Sequence, residues 1–229
     1  LNFMDINAFI VGSTRRKLNQ MKMRNIPFVK PPLPEQHRIA EILSTIDDAI
    51  QKSDEIIKGT EKLKRGMMQE LLTRGIGHKK FKFNEELGFE VPEGWDFQKF
   101  TVLFDYDKGK NPSEKFDSLD AGRLPYASTD FLRTGVPSEF VRKDDDVVPI
   151  TNGEILLLWD GSNAGEFFFS KEDATLSTTM VRLSPKKQIN PKFMFYRFKT
   201  IEEKYLQMVT NGTGIPHVSS TVLKNFRLP

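Results

Sequence analysis

The chain contains no cysteine. Neither disulfides nor thiolate metal sites are therefore possible. Histidine is nearly absent as well: His37, His78 and His217 are the only three, and they lack metal-ligand spacing. No apolar run approaches the ~20 residues that a membrane-spanning helix needs. The densest stretch is Ile155 to Trp159. No secretory signal is visible. These absences lead us to expect a soluble cytoplasmic protein that neither enters a membrane nor holds a metal. A strong excess of one charge is also missing. The 34 Lys/Arg and 31 Asp/Glu leave a net charge of +3. That is no polyanion-coating tail, although a pI near 8.9 is compatible with a local basic face.

Catalytic signatures are equally scarce. There is no Gly-rich phosphate loop between a strand and a helix. Asp160-Gly161-Ser162-Asn163-Ala164-Gly165 follows an apolar stretch but carries no Lys and leads into no helix. Asn111-Pro112-Ser113 only faintly resembles the Asn-Pro-Pro element of amino-methyltransferases, and it lies in a polar loop. No catalytic residue and no cofactor of its own are expected.

What is present is a long amphipathic segment. Pro31, Pro32 and Pro34 forbid helix before them, and Pro34 suits a first helical position. Glu35 places negative charge on the first turn. Apolar residues then recur at helical spacing: Ile39, Ile42, Leu43, Ile46, Ala49, Ile50, Ile56, Ile57, Leu63, Met67 and Leu71. Arg74 and Gly75 make a C-terminal stop. About 40 helical residues would form a rod of ~60 Å, far beyond the ~11–12 residues of an ordinary helix. As heptads, the seam holds Ile39, Ile46, Ser53, Thr60 and Met67. So wide an apolar stripe predicts pairing with another helix along its length. Gly59, Gly66, Ser53 and Thr60 weaken the middle of the rod or permit close helix approach. From Pro34 to Arg74 there are seven Lys/Arg and eight Asp/Glu, so the excess positive charge lies elsewhere. The helix positions things and does not itself grip phosphate.

The two ends of the chain repeat one another. Gly12-Ser13-Thr14 aligns with Gly212-Thr213-Gly214, Leu18-Asn19-Gln20 with Val218-Ser219-Ser220, and Met23-Arg24-Asn25-Ile26 with Leu223-Lys224-Asn225-Phe226. The offset is a constant 200 residues. Such a long repeat predicts two copies of one structural unit, the first running into the helix. We expect a piece of a longer chain divided into three: residues 1–30 as the end of a first recognition unit, 31–76 as the spacer helix, and 77–229 as a second recognition unit. Ile76 to Phe83 reads as a linker, and 87–95 as a turn with an aromatic anchor at Trp95. Residues 154–159, 165–169 and 178–183 read as strands. Residues 191–207 read as a helix burying Phe193, Phe195, Tyr196, Phe198, Ile201, Tyr205 and Leu206, and 218–226 as a short helix or turn. The fold class is α+β: mixed β strands with peripheral helices, plus a long coiled-coil-forming spacer helix.

The loops collect residues that read base edges and phosphates. Lys108, Lys110 and Lys115 flank one loop, and Tyr126, Ser128, Thr129 and Arg133 form another group. Asp160, Ser162 and Asn163 follow the apolar strand, and Ser177, Thr178 and Thr179 open the next. Asn211, Thr213 and His217 occupy the terminal turn, with Ser13, Thr14, Arg15, Arg16 and Lys17 as its repeat partner. As a set they predict a face for double-stranded DNA. A coiled-coil scaffold whose α+β domain binds protein or glycan is the alternative.

A family resemblance favours the first reading. Pro32-Leu33-Pro34-Glu35-Gln36, the Ile39–Ser44 run, and Lys64 to Gly75 resemble the helical region of type I restriction–modification specificity subunits. Val91-Pro92-Glu93-Gly94-Trp95 resembles the opening of their target-recognition domains, and Gly212-Thr213-Gly214-Ile215-Pro216-His217 with Asn225-Phe226 resembles their close. The resemblance implies a non-catalytic subunit in which two recognition domains read the halves of a split DNA target. Paired helices would set the gap. It also implies methyltransferase subunits that carry S-adenosylmethionine, and a motor–nuclease subunit that uses ATP and Mg²⁺.

Overall fold

A computed structural model describes residues 10, 20–24, 26, 28–85, 88–186, 188–209, 216–225 and 227–228. Two compact units divide the chain, Leu1–Lys62 and Leu63–Pro229. Helix α1 (Gln20–Arg24) precedes α2 (Leu33–Arg74), a single unbroken helix of 42 residues. Pro32 ends the extended approach. Its carbonyl accepts the first two helical N–H bonds, from Glu35 and Gln36, at 3.0 Å each. The Gln36 amide adds a bond of 2.7 Å to the Pro31 carbonyl. At the other end Gly75 takes a left-handed φ of 66°, and its N–H donates to the Leu71 carbonyl.

In the first unit the α2 stripe is exposed from Ile39, at 44%, to Ile56, at 69%. Thr45, Ser53 and Thr60 turn their hydroxyls back onto the carbonyls four residues earlier, so the polar seam positions are satisfied within the helix. A Cβ at Gly59 would meet nothing within 4 Å.

The second unit begins with the last turns of α2. There Leu63, Met67 and Leu71 stay exposed, and Leu72 alone in the helix is buried. The Lys64 ammonium lies 5.7 Å from the centre of the Tyr196 ring, and the Arg74 guanidinium 5.2 Å from that of Phe81. The segment read as a linker carries a strand. β1 (Phe81–Asn84) pairs antiparallel with β2 (Phe89–Pro92), and His78 meets Trp95 edge-on. There follow β3 (Gln98–Lys99), α3 (Phe100–Leu103), β4 (Phe104–Lys108), β5 (Arg123–Ala127), α4 (Thr129–Thr134), β6 (Phe140–Arg142) and β7 (Pro149–Ile150). The chain continues through β8 (Ile155–Leu158), β9 (Phe167–Phe169), β10 (Ala174–Leu176), β11 (Met180–Pro185), α5 (Pro191–Val209), α6 (Ser220–Asn225) and β12 (Arg227–Leu228).

Two four-stranded sheets form, in the orders β4-β11-β8-β9 and β6-β5-β10-β7. β8 separates two cores. Ile155 and Leu157 face one with Phe100, Phe104, Phe167, Leu183, Met194 and Phe198, whereas Leu156 and Leu158 face the other with Phe131, Ile150, Phe168 and Leu176. This is the alternation of a strand covered on both faces, which explains its unbroken apolar sequence. Arg182 ties strands together: it donates to Asp107 and to the Pro149 carbonyl, both at 2.8 Å, and lies 3.7 Å from Glu154.

Helix α5 extends as expected, but its buried face differs. Phe198 is buried and Phe195 and Ile201 pack against the core as expected, whereas Phe193 is 40% exposed and Met194 and Arg197 are buried. The side chains of Tyr205 and Leu206 lie outside the described residues. Among the described residues, helix covers matching positions of the repeat, Gln20–Arg24 in α1 and Ser220–Asn225 in α6. Among the described residues no helix is long and apolar enough to cross a membrane.

Candidate nucleic-acid interface

Strand register brings four chain segments to one edge. β11 pairs with β4 so that Val181 faces Lys108, and with β8 so that Met180 faces Leu158. The start of β11 therefore adjoins the ends of both partners. β10 runs parallel to β5, with Leu176 opposite Ala127, which brings Ser128 beside Ser177. Residues 108–110, 126–129, 159–163 and 177–179 thus converge, although up to 71 positions separate them in sequence.

Main-chain bonds lock these loops together. Trp159 and Asp160 both donate N–H bonds to the Thr179 carbonyl, at 2.8 and 3.1 Å. Asp160 forms a β-bridge with His217, Gly161 donates to the Pro216 carbonyl, and Val218 donates to the Trp159 carbonyl. The Gly109 N–H donates to Met180, and a Cβ on Gly109 would sit 2.0 Å from the Ser177 carbonyl oxygen. Only glycine fits there. The turn at 160–165 bends at Gly161 and Gly165, with φ of 128° and 98°.

Side chains divide into supports and exposed groups. Tyr126 is 5% exposed, and its hydroxyl accepts the Thr178 N–H at 3.1 Å. Ser177 is buried, with its hydroxyl 3.1 Å from that of Thr179. The Ser128 hydroxyl caps α4 by accepting the Phe131 N–H. Lys108, Lys110, Arg133, Ser162, Asn163, Thr179 and His217 are exposed; Ser128, Thr129, Asp160 and Thr178 are half-buried. Ser13, Thr14, Arg15, Arg16, Lys17, Asn211 and Thr213 lie outside the described residues.

The cations are held by nearby acids. Lys108 bonds Asp160 at 2.8 Å, Lys110 bonds Asp146 at 2.5 Å, and Arg133 pairs with Glu166. The bond to Glu166 raises the Arg133 pKa further. Lys115 bonds Glu139 at 3.0 Å and stands 4.0 Å over the Tyr126 ring. Asp145 accepts both the N–H and the hydroxyl of Ser113, and these bonds hold its carboxyl below the usual range. The lysine loop is thereby fastened to the acidic 144–146 turn. Sequence reasoning missed that turn, as well as Gly109 and Glu166. Gly109 stands between two lysines beside Asn111-Pro112-Ser113 and reads as an ordinary loop glycine, and the acids read as ordinary solvated surface.

One buried charge lies away from this edge. Arg197 on α5 is 3% exposed and touches the Thr200 hydroxyl at 3.4 Å, with no ion pair among the described residues. Burial pulls its pKa down to about 10.

Known proteins with related sequences and folds share one description. The family model for the type I restriction modification DNA specificity domain matches residues 1–61 and 92–229. The type I restriction enzyme MjaVIII specificity subunit of Methanocaldococcus jannaschii is 40% identical over 153 residues, covering 66% of this chain and 36% of its own. The MjaIX specificity subunit of the same organism is 21% identical over 233 residues, covering 93% and 52%. The chain thus spans between about a third and a half of these relatives. In fold it is similar to the crystal structure of a type I restriction–modification S subunit from M. genitalium, with a TM-score of 0.63 and 15% identity, over 97% of this chain and 56% of that one.

Proposed function

The chain belongs to the type I restriction modification DNA specificity family, and from that premise we propose that it is a non-catalytic DNA-recognition subunit that reads one half of a bipartite target. The edge where β4, β5, β8 and β11 meet their loops is the reader. Exposed Lys108, Lys110 and Arg133 supply phosphate contacts, and Ser162, Asn163 and Thr179 supply base contacts. Loops fixed by a rigid sheet suit this task, because specificity requires donors and acceptors held in place before the duplex arrives.

The observation that carries the proposal is the convergence of these polar loops on one edge, stitched together by main-chain bonds from Asp160, Gly161 and Gly109. Helix α2 sets the separation between this reader and a second one. Its 42 residues span ~63 Å, or about 18 base pairs at 3.4 Å each, an upper bound for the gap. Its exposed apolar stripe pairs with a second conserved helix. The methyltransferase subunits dock on the assembled subunit and bring S-adenosylmethionine; a motor–nuclease subunit joins through the complex with ATP and Mg²⁺.

Binding-site selection on randomised duplexes, with the methyltransferase subunits present, tests this. We expect two short fixed motifs separated by a constant unspecified gap. Recovery of unenriched duplexes, or of one contiguous motif, would sink the bipartite reading.

A further inference from the structure

At the Lys108–Asp160 ion pair a carboxylate sits between main-chain anchors on both sides. Asp160 donates its own N–H to Thr179 and bridges to His217, while its neighbours Trp159 and Gly161 are bonded to Thr179 and Pro216. Its backbone cannot swing away without opening β8 and β11. Only the side chain is free to serve a ligand, and it is 35% exposed. Lys108, whose side chain is 51% exposed, reaches it from the end of β4 at 2.8 Å. The backbone of Lys108 is in turn held by its register with Val181 and by the close fit of Gly109 under the Ser177 carbonyl.

A carboxylate on a surface that approaches phosphate is unfavourable for every duplex unless it meets a donor. An ionised carboxylate can only accept. In the major groove the donors are the exocyclic amines, N4 of cytosine and N6 of adenine; guanine and thymine present O6, N7 and O4 acceptors in the same place. We infer that Asp160 reads one base by accepting a hydrogen bond from an exocyclic amine, with Lys108 as the positioning residue that orients the carboxylate and offsets its charge. The inference rests on the DNA-recognition reading and adds to it a discriminating residue whose main effect is rejection. Where guanine or thymine stands opposite, Asp160 loses its solvent and gains no partner.

Two substitutions and one modified duplex test this with the full chain. Wild type should select adenine or cytosine at one position. Asp160→Ala, which can neither accept nor donate, should relax that position by roughly tenfold and bind random duplex more tightly, because a negative charge has gone. Lys108→Gln should keep the same preferred base but with a smaller preference for it, because the carboxylate is no longer held, and should weaken binding to all duplexes besides. Removing the amine from the selected base, with purine for adenine or 2-pyrimidinone for cytosine, should cost wild type roughly tenfold and leave Asp160→Ala unaffected. The proposal is overturned if Asp160→Ala selects the same base with the same preference, or loses all sequences equally while folded by circular dichroism. Should that variant fail to fold, unchanged wild-type affinity after amine removal at every selected adenine and cytosine overturns it instead. If wild type selects no sequence at all, the recognition reading fails first and this inference with it. Selection by wild type without an effect at Asp160 defeats this inference alone.

Discussion

Single residues carry stability and recognition by separate routes. Gly109 has no room for a side chain, since a Cβ would be 2.0 Å from the Ser177 oxygen. Gly109→Ala should therefore cost about 1–3 kcal/mol, as overpacking typically does, and lower the thermal midpoint by several degrees in a scan. Arg197 carries the opposite prediction. Its folded pKa of about 10 lies well below the ordinary arginine value, so folding disfavours the charged form by about 3 kcal/mol at neutral pH. The unfolded chain binds the extra proton from about pH 10 up to the ordinary arginine value, so stability rises as pH climbs through that window and the cost is fully present below it. Arg197→Met should leave the fold intact and raise stability by about 1–3 kcal/mol in urea unfolding at pH 7, with a smaller gain at pH 11. An unchanged or lower midpoint at pH 7 would argue for a partner that the guanidinium needs. Neither residue was legible beforehand. Arg197 sits within a run read as aromatic core, and only the packing of α5 decides that Arg197 turns inward while Phe193 turns out.

Among the elements, α2 was legible nearly to the residue. The prolines, Glu35, the apolar period and Gly75 each act within one or two turns, and helix ends respond to such local groups. The strands were harder. β8 stood out for its five consecutive apolar residues, but β6, β7 and β10 have only two or three residues each and β5 carries Pro125 within it, so pairing is what makes them strands. Two tests belong at this scale. Gly59→Ala with Gly66→Ala should strengthen the helix by about 1 kcal/mol per site, since each Cβ meets open space in this chain. Weaker helix pairing in sedimentation would reveal a partner helix approaching closely there. Ile46→Asp with Ile50→Asp should abolish that pairing while far-UV circular dichroism keeps its strand signal. Pairing that survives two charges on the stripe would remove the coiled-coil role of α2.

For the molecule as a whole, the electrostatic prediction is a salt slope. Lys110→Ala should weaken binding to all duplexes by a similar factor and reduce the slope of log affinity against log salt by about one. An unchanged slope would mean that Lys110 stays with Asp146 and never meets phosphate. Which candidates share a surface could not be read from the chain, because contacts that unite them span long loops: 52 residues between Lys108 and Asp160, and 75 between Asp107 and Arg182. Sequence alone determined the long helix, its apolar stripe and the family motifs, because a helix is closed by bonds four residues apart and its signals lie side by side. Tertiary structure alone decided that Tyr126 and Ser177 hold the loops from beneath while Asp160 and Thr179 reach the surface. That choice depends on which strands pair and in what register, and a one-residue slip would have turned every side chain to the other face.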